Sequence, residues 1–329
     1  MAGITGMGTT YDLPQLTGAL FAKGRRPNAA LRGAGGFLGG IQTISASEFP
    51  LTVEFDLEDP SQPAILEGAD APNAKERTLT QAKNIVQIFF EAVQLSYGAQ
   101  SNRQTFAGLQ IIPGGVMGAL QDPADPAFQL GLRVQQIARD LNFTILNGVY
   151  QLPTSNATAR KTRGLISAIT TNYTAAGGAR ALTTTIVEAA LKGMVSNGSM
   201  NLGDNLFAFC GINQFENLVD LYKTATVLPV SRTVVGVQVR TIITTWGELN
   251  VVWDPDVPSL TNDGEIFLLD LASLRVVGRE IVDDGVRKGV LFTEPLAKQG
   301  ASSKWQVYGE FGLNYGHESR HARIDDLND

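Results

Sequence analysis

The chain has one cysteine, Cys210, and two histidines, His317 and His321, in 329 residues. A lone thiol excludes an intramolecular disulfide framework, so a reducing cytoplasm suits its folding, and Cys210 reads as a small buried hydrophobe. So few imidazoles leave little for general acid–base chemistry at neutral pH. Their i, i+4 spacing would place both on one helical face, as in some zinc sites. However, Glu318-Ser319-Arg320 between them does not reproduce His-Glu-x-x-His, and no third ligand lies near in sequence. A polar terminal surface is the expected setting for the pair.

Other absences narrow the field further. No run of about 20 apolar residues could span a bilayer, and Met1 to Tyr11 lacks the charged start and apolar stretch of a secretory signal, so a soluble, non-exported protein is expected. The glycosylation sequons at Asn142, Asn156, Asn172 and Asn197 then carry no meaning. No Gly-x-Ser-x-Gly elbow occurs. The dense glycines Gly33, Gly35, Gly36, Gly39 and Gly40 fit neither phosphate-binding pattern, because position 38 is Leu38 and no Lys follows Gly40. Asp254-Pro255-Asp256 and Asp283-Asp284-Gly285 look like fragments of calcium loops but do not continue in the EF-hand register, so turn formation accounts for them. The residues support no catalytic, cofactor or metal site.

What is present is a chain long enough for one large or two intertwined domains, 43% hydrophobic, with a net charge of −6 placed unevenly. Over residues 1–47, Lys23, Arg25, Arg26 and Arg32 face a single acid, Asp12. Over 48–100 the acids Glu48, Glu54, Asp56, Glu58, Asp59, Glu67, Asp70, Glu76 and Glu91 outnumber Lys75, Arg77 and Lys83. A basic segment followed by an acidic one suits attraction between neighbouring copies, although two solvated surfaces would look the same. Arg160-Lys161-Thr162-Arg163 is the densest basic cluster; without interleaved aromatics it suits a solvated loop or an acidic neighbour better than nucleic acid.

The first 47 residues, glycine-dense and without apolar periodicity, read as an arm that takes its order from a partner. From Glu48 strict alternation begins, with Phe49, Leu51, Val53, Phe55 and Leu57 on one side, which predicts a strand with one wet face. A second β-prone run covers Thr78 to Tyr97. The polar loop between them is too long for a compact turn, so a projecting hairpin is expected. Asp125-Pro126 followed by Leu130, Val134, Ile137, Leu141 and Ile145 predicts a helix from about 126 to 147, ended by Gly148 and roughly 30 Å long. Further on, Thr185 with Glu188 suggests a capping box before Ala189 to Val195, and Asn213 opens a helix over Gln214 to Tyr222. Strands are expected at Val234 to Thr241, Leu249 to Trp253, Glu265 to Leu271, Gly289 to Phe292 and Trp305 to Leu313.

This order of parts resembles the Hong Kong 97 (HK97-like) capsid fold, an α+β architecture. Several stretches are similar to one family of tailed-phage major capsid proteins: Gly8-Thr9-Thr10-Tyr11-Asp12-Leu13-Pro14, Pro63 through Pro72, Asn147-Gly148-Val149-Tyr150-Gln151, Thr158 through Leu165, and Trp246 through Asp254 followed by Ile266-Phe267-Leu268-Leu269-Asp270. The resemblance covers nearly the whole chain. It implies an N-terminal arm (1–47), an E-loop hairpin (48–100), a peripheral domain with the spine helix (101–152 and 276–329) and an axial domain (153–275). It also implies assembly into pentamers and hexamers of a virion shell around double-stranded DNA, synthesis and assembly in the host cytoplasm, and no enzymatic activity. The implied partners are further copies of the chain, a scaffolding protein on a separate chain, a portal at one vertex and an optional decoration protein. Expected inter-subunit contacts fall on Arg25, Arg26, Arg32, Glu67, Asp70, Lys75, Arg77, Arg160, Lys161 and Arg163. An encapsulin-like cargo shell, a tail tube or decoration protein, and a hydrolase built around His317 and His321 are the rival readings.

Overall fold

The computed structural model describes residues 19–20, 28–36, 40–54, 62, 64–70, 76, 79–101, 106–108, 120–121, 125–175, 177–198, 206–223, 230–234, 237–260, 263–298 and 300–328. Its central rod is the helix Pro126–Asn147, with the bounds the apolar spacing predicts. The Asp125 carboxylate accepts from the Ala127 amide at 3.0 Å, satisfying one of the donors that every helix start leaves open, and Pro126 has no N–H to waste at that position. Ile137, Leu141 and Ile145 are fully buried, while Leu130 and Val134 pack against the same core from its margin. The apolar stripe therefore deepens toward the C-terminal half of the helix.

That helix lies against a sheet organised by the long strand Ser302–Asn314. One edge of this strand pairs with Leu291–Leu296 and then Arg275–Arg279; along the other edge Gln87–Ser96 pairs with it throughout. Alternation in Gln87–Ser96 turns Phe89 and Val93 inward, and Phe89 meets Phe311 edge-on at 5.9 Å between ring centres. The β-prone run over 78–97 is thus two strands. Thr80–Ile85 pairs with Glu48–Glu54 to form the hairpin, whereas Gln87–Ser96 belongs to the body. They separate at Val86, whose N–H ends the hairpin side with a bond to Ser47 O at 2.9 Å.

A second sheet has eight strands, in the order Val230–Val234, Val237–Thr244, Gly247–Trp253, Leu206–Cys210, Asp263–Asp270, Ala322–Leu327 and Tyr173–Thr174, with Ser259–Leu260 beside Asp263–Asp270. Its inner strands read as unbroken apolar runs because both faces are covered. Phe207, Phe209, Phe267 and Leu269 enter the core beneath the spine helix; Leu206, Ala208, Cys210, Ile266 and Leu268 enter a second core under the helices Thr184–Gly198 and Ile212–Lys223. A strand sends successive side chains to opposite faces, so one sheet serves as the shared wall of both cores.

Several sequence expectations change. Part of the expected arm is built into this chain's own core: Ala29–Gly33 is helical with Ala29, Ala30 and Leu31 buried, and Gln42–Ile44 pairs in parallel with Arg275–Arg279. Small side chains replace periodicity there, letting the backbone sit against Phe209 and Leu271, which a Cβ on Gly33 would meet at 3.1–3.3 Å. Helix Thr184–Gly198 begins before Thr185, so no capping box forms, and Glu188 accepts instead from the Thr245 amide at 3.1 Å. The run Val234 to Thr241 is not one strand but reaches across two, Val230–Val234 and Val237–Thr244, which pair antiparallel. The last strand, Ala322–Leu327, pairs with Asp263–Asp270, so the C-terminus of the segment expected in the peripheral domain closes the sheet of the expected axial domain.

Candidate inter-subunit surfaces and the junctions beneath them

The N-terminal segment is fixed by a buried polar junction. The Ala30 amide donates to Asp254 Oδ2 and the Leu31 amide to Asn142 Oδ1, both at 2.9 Å. Asn142 Nδ2 in turn donates to Asp254 Oδ1 at 3.1 Å and Asp256 Oδ2 at 2.7 Å, and Asn147 Nδ2 reaches Asp256 O at 2.7 Å. Both Asn142 and Asp254 are fully buried. Burial raises the Asp254 pKa, opposed by the Asp256 and Ala30 amides and by Asn142. Asp254-Pro255-Asp256 is the turn its composition predicts, but one of its carboxylates ties the spine helix, the second sheet and the N-terminal segment together. The available sequence signal was Asn142, a polar residue beside the apolar stripe.

Beyond the spine helix the backbone makes a close crossing. Gly148 has φ −61°, so no left-handed turn requires glycine there. A Cβ on it would stand 2.5 Å from Thr144 O, 2.7 Å from Thr162 O and 2.8 Å from Gly164 N; one on Gly164 would strike Gly148 N and Thr144 O. The Gly164 amide donates to Gly148 O at 2.9 Å, and Gln151 and Lys161 exchange backbone hydrogen bonds at 3.0 and 3.1 Å. The loop between them is therefore clipped to the helix end. Asn84, buried at the hairpin root, grips the same crossing. Its Oδ1 accepts from the Arg163 and Ile85 amides at 2.9 Å, and its Nδ2 donates to Leu313 O at 2.7 Å.

Among the expected contact residues, Arg160 and Arg163 are engaged within the chain. Arg160 pairs with Glu310 at 3.1 Å, and that buried carboxylate also holds Arg279 at 3.2 Å. Arg163 stacks over Tyr150, 4.7 Å from the ring centre, and lies 3.4 Å from the Tyr315 hydroxyl. Lys161, Arg32, Glu67 and Asp70 have exposed side chains, the last two in one short segment. Arg25, Arg26, Lys75 and Arg77 lie outside the described residues, so the expected pairing of a basic arm with an acidic loop falls largely there too.

Exposed apolar groups are spread over the described surface, Phe143, Val149, Val282 and Val286 among them, and two sets lie in or beside the hairpin. In the segment that joins the hairpin strands, Ile65 and Leu66 are 67% and 84% exposed. They precede a turn closed by the Ala69 amide on Leu66 O at 3.1 Å, with Gly68 at φ +83°. On the body, the outer face of Gln87–Ser96 presents Ile88 and Phe90; Tyr308 lies beside Phe90 and Phe292, with ring centres 6.2 and 5.7 Å apart.

The histidines do not share a site, and a polar terminal surface describes only one of them. The segment between them is a short 3-10 turn, Glu318–Arg320. His321 is fully buried, accepting from the Asp270 amide on Nδ1 at 3.3 Å with Nε2 2.8 Å from Tyr315 O, an arrangement that requires the neutral ring. Burial lowers its pKa below the ordinary 6.5. The unfolded chain thus binds the proton more readily, and the stability present above pH 6.5 is lost as pH falls from there toward the folded-state pKa. The loss approaches about 1.4 kcal/mol per pH unit. Urea unfolding between pH 7.5 and 5 should show this slope, and His321→Gln, though less stable throughout, should lack it. Among the described residues no cluster of His, Cys, Asp and Glu could hold a metal ion.

A spine helix over a sheet, a two-stranded hairpin and a second sheet shared between two cores make up a fold that solved structures share. The chain is similar to the capsid subunit of cyanophage A-1(L) (14% identity, TM-score 0.61, covering 94% of this chain and 96% of that one). It is also similar to the capsid of a native GTA particle (12%, 0.59, 99% and 99%) and to the SrpI encapsulin of Synechococcus elongatus PCC 7942 (12%, 0.57, 97% and 92%). The fold is HK97-like and α+β. A comparison with curated protein sequences found no match. Residues 3–328 match the family model described as SU10 major capsid protein, and the chain belongs to that family. It is a structural protein of the virion capsid.

Proposed function

We propose that copies of this chain tile a closed icosahedral shell, as pentamers and hexamers, around packaged double-stranded DNA. The observation that carries this is the exposed Ile65-Leu66 pair, whose described neighbours over 62–70 are exposed as well, while an aromatic sheet face stands open on the body. A patch on one copy that fits a different patch on the next generates rings, and small changes of angle let one sequence occupy five-fold and six-fold positions. The hairpin lies across a neighbour. Glu67 and Asp70 meet cations there, drawn from Arg25, Arg26, Arg32, Lys75, Arg77 and Lys161, while Arg160 and Arg163 shape the body that receives it.

Residues 101–152 with 276–321 form the peripheral unit, and 153–275 with the last strand the axial unit. Assembly takes place in the host cytoplasm with a separate scaffolding protein and a portal at one vertex; a decoration protein is compatible with the same surface. In this reading the chain's role is structural and not enzymatic. The family match favours a DNA-filled virus shell over an encapsulin-type compartment, and the contents of purified particles separate the two.

Replacing both Ile65 and Leu66 by Ser should leave the subunit's melting temperature unchanged and cut the yield or heat resistance of particles by an order of magnitude, as when central apolar contacts of an interface are lost. Full particle yield and unchanged heat resistance would remove the hairpin from the interface.

A further inference from the structure

The root of the hairpin leans over a solvent-filled cleft of about 610 Å³, with Thr52, Glu54 and Ala82 on the hairpin side and Arg163, Tyr315 and His317 on the body side. Two polar contacts bracket it. At the inner end Asn84 is buried and bonded to the body through Arg163 and Leu313. At the outer end His317 Nε2 meets Glu54 Oε2 at 2.7 Å, with half of the Glu54 side chain and a quarter of that of His317 exposed. The Ser319 amide donates to His317 Nδ1 at 3.3 Å, so the Nε2 nitrogen carries the proton and donates it to Glu54.

The other charged groups of the cleft are already engaged on the body side. Glu318 accepts from the Thr170 and Thr171 amides at 2.8 and 3.0 Å, and Arg163 is held by Tyr150 and Tyr315. Val86, two residues after the Asn84 anchor, is where the chain changes partner: its amide ends the hairpin ladder on Ser47 O and Gln87 begins the pairing with Ser302–Asn314, and a strand can bend where its partner changes.

From this geometry we infer that the hairpin pivots at Asn84–Val86 and that the Glu54–His317 contact is a clasp setting its angle over the cleft. The inference rests on the shell reading only for its use: a hairpin with two settings suits one chain that must meet neighbours at different angles. Such a clasp, exposed and single, shifts a local equilibrium without holding the fold together.

Hydrogen exchange followed by mass spectrometry on the full-length, unassembled subunit tests it. In Glu54→Ala and in His317→Ala, amides of 48–54 and 80–85 should exchange about two- to five-fold faster, the range expected for loss of one exposed polar contact. Amides of 302–314 should not change. The double variant should match the single ones, because both remove the same contact, and Glu54→Gln, which keeps an acceptor, should restore much of the protection. Unchanged rates in both single variants overturn the clasp, as does acceleration spread equally over 302–314. A failure of the shell reading would appear separately, as wild-type protein that never forms particles whatever its exchange rates.

Discussion

Gly148→Ala and Gly164→Ala should each yield little or no soluble protein. The added methyl would meet backbone atoms and not the movable end of a side chain: Thr144 O and Thr162 O for Gly148, Gly148 N and Thr144 O for Gly164. Neither side can give way without breaking the Gly164 N–H to Gly148 O bond or the last turn of the spine helix, whose Thr144 O accepts from the Gly148 amide at 2.9 Å. Overpacking in a well-packed core ordinarily costs about 1–3 kcal/mol. A clash with fixed backbone on both sides belongs to the rarer class above about 4 kcal/mol, a large share of the stability of a whole domain. Soluble yield and thermal melting of the two variants beside Gly177→Ala measure the effect. Gly177 has a positive φ, of 69°, which neither Gly148 nor Gly164 shares, and no neighbour within 4 Å, so that control shows what backbone strain costs where no clash occurs. Variants that melt within a degree or two of the control would show that the crossing is looser than described.

Asn142→Leu should cost about 3–5 kcal/mol, as expected when a buried charge loses its hydrogen-bonding partner. Leucine nearly conserves the volume, so the loss is not one of packing. It strands the Leu31 amide without an acceptor and takes from the Asp254 and Asp256 carboxylates the side-chain amide that bridges them. Asn142→Asp should be at least as harmful, because it brings a third acid against Asp254 and Asp256. Denaturant unfolding of the unassembled subunit gives the magnitude. Limited proteolysis should show earlier cleavage near residues 28–36 in the variant, since their anchor is gone. A small change in stability with unaltered proteolysis would mean that the N-terminal segment is held by its apolar contacts alone.

How much of this was legible in the sequence differs by element for physical reasons. The spine helix was readable to the residue because cap, proline and apolar spacing all point the same way in one local stretch. The inner strands of the eight-stranded sheet were also recognisable, since Ile266-Phe267-Leu268-Leu269 is apolar at every position, but that two separate cores share it depends on distant partners. Ala29-Ala30-Leu31 carried no signal, being too short and small for periodicity, and its order comes from two backbone amides finding Asn142 and Asp254, both more than a hundred residues away in sequence. Gly148 and Gly164 were visible as members of the two motifs that carried the family resemblance, with nothing to indicate that they touch. The turn at Asp254-Pro255-Asp256 was correct as a turn and silent about burial, because propensity does not report on what lies behind a loop. The basic cluster Arg160-Lys161-Thr162-Arg163 appeared as one unit; the fold sends Arg160 to Glu310, Arg163 to Tyr150 and leaves Lys161 outside.

One weakness of the subunit alone unites these features. The body is well cored, with two apolar clusters and buried polar junctions that find partners inside the chain. By contrast, Ile65, Leu66, Ile88 and Phe90 present large apolar surfaces to water, and an isolated protein gains nothing from them. An electron-microscopic reconstruction of particles formed by the unaltered chain, carried to a resolution at which side chains are seen, examines this most directly. The account predicts Ile65 and Leu66 seated on an adjacent copy, in a closed shell. Particles in which that segment folds back onto its own body, or preparations containing only dispersed monomers under every assembly condition, would contradict it.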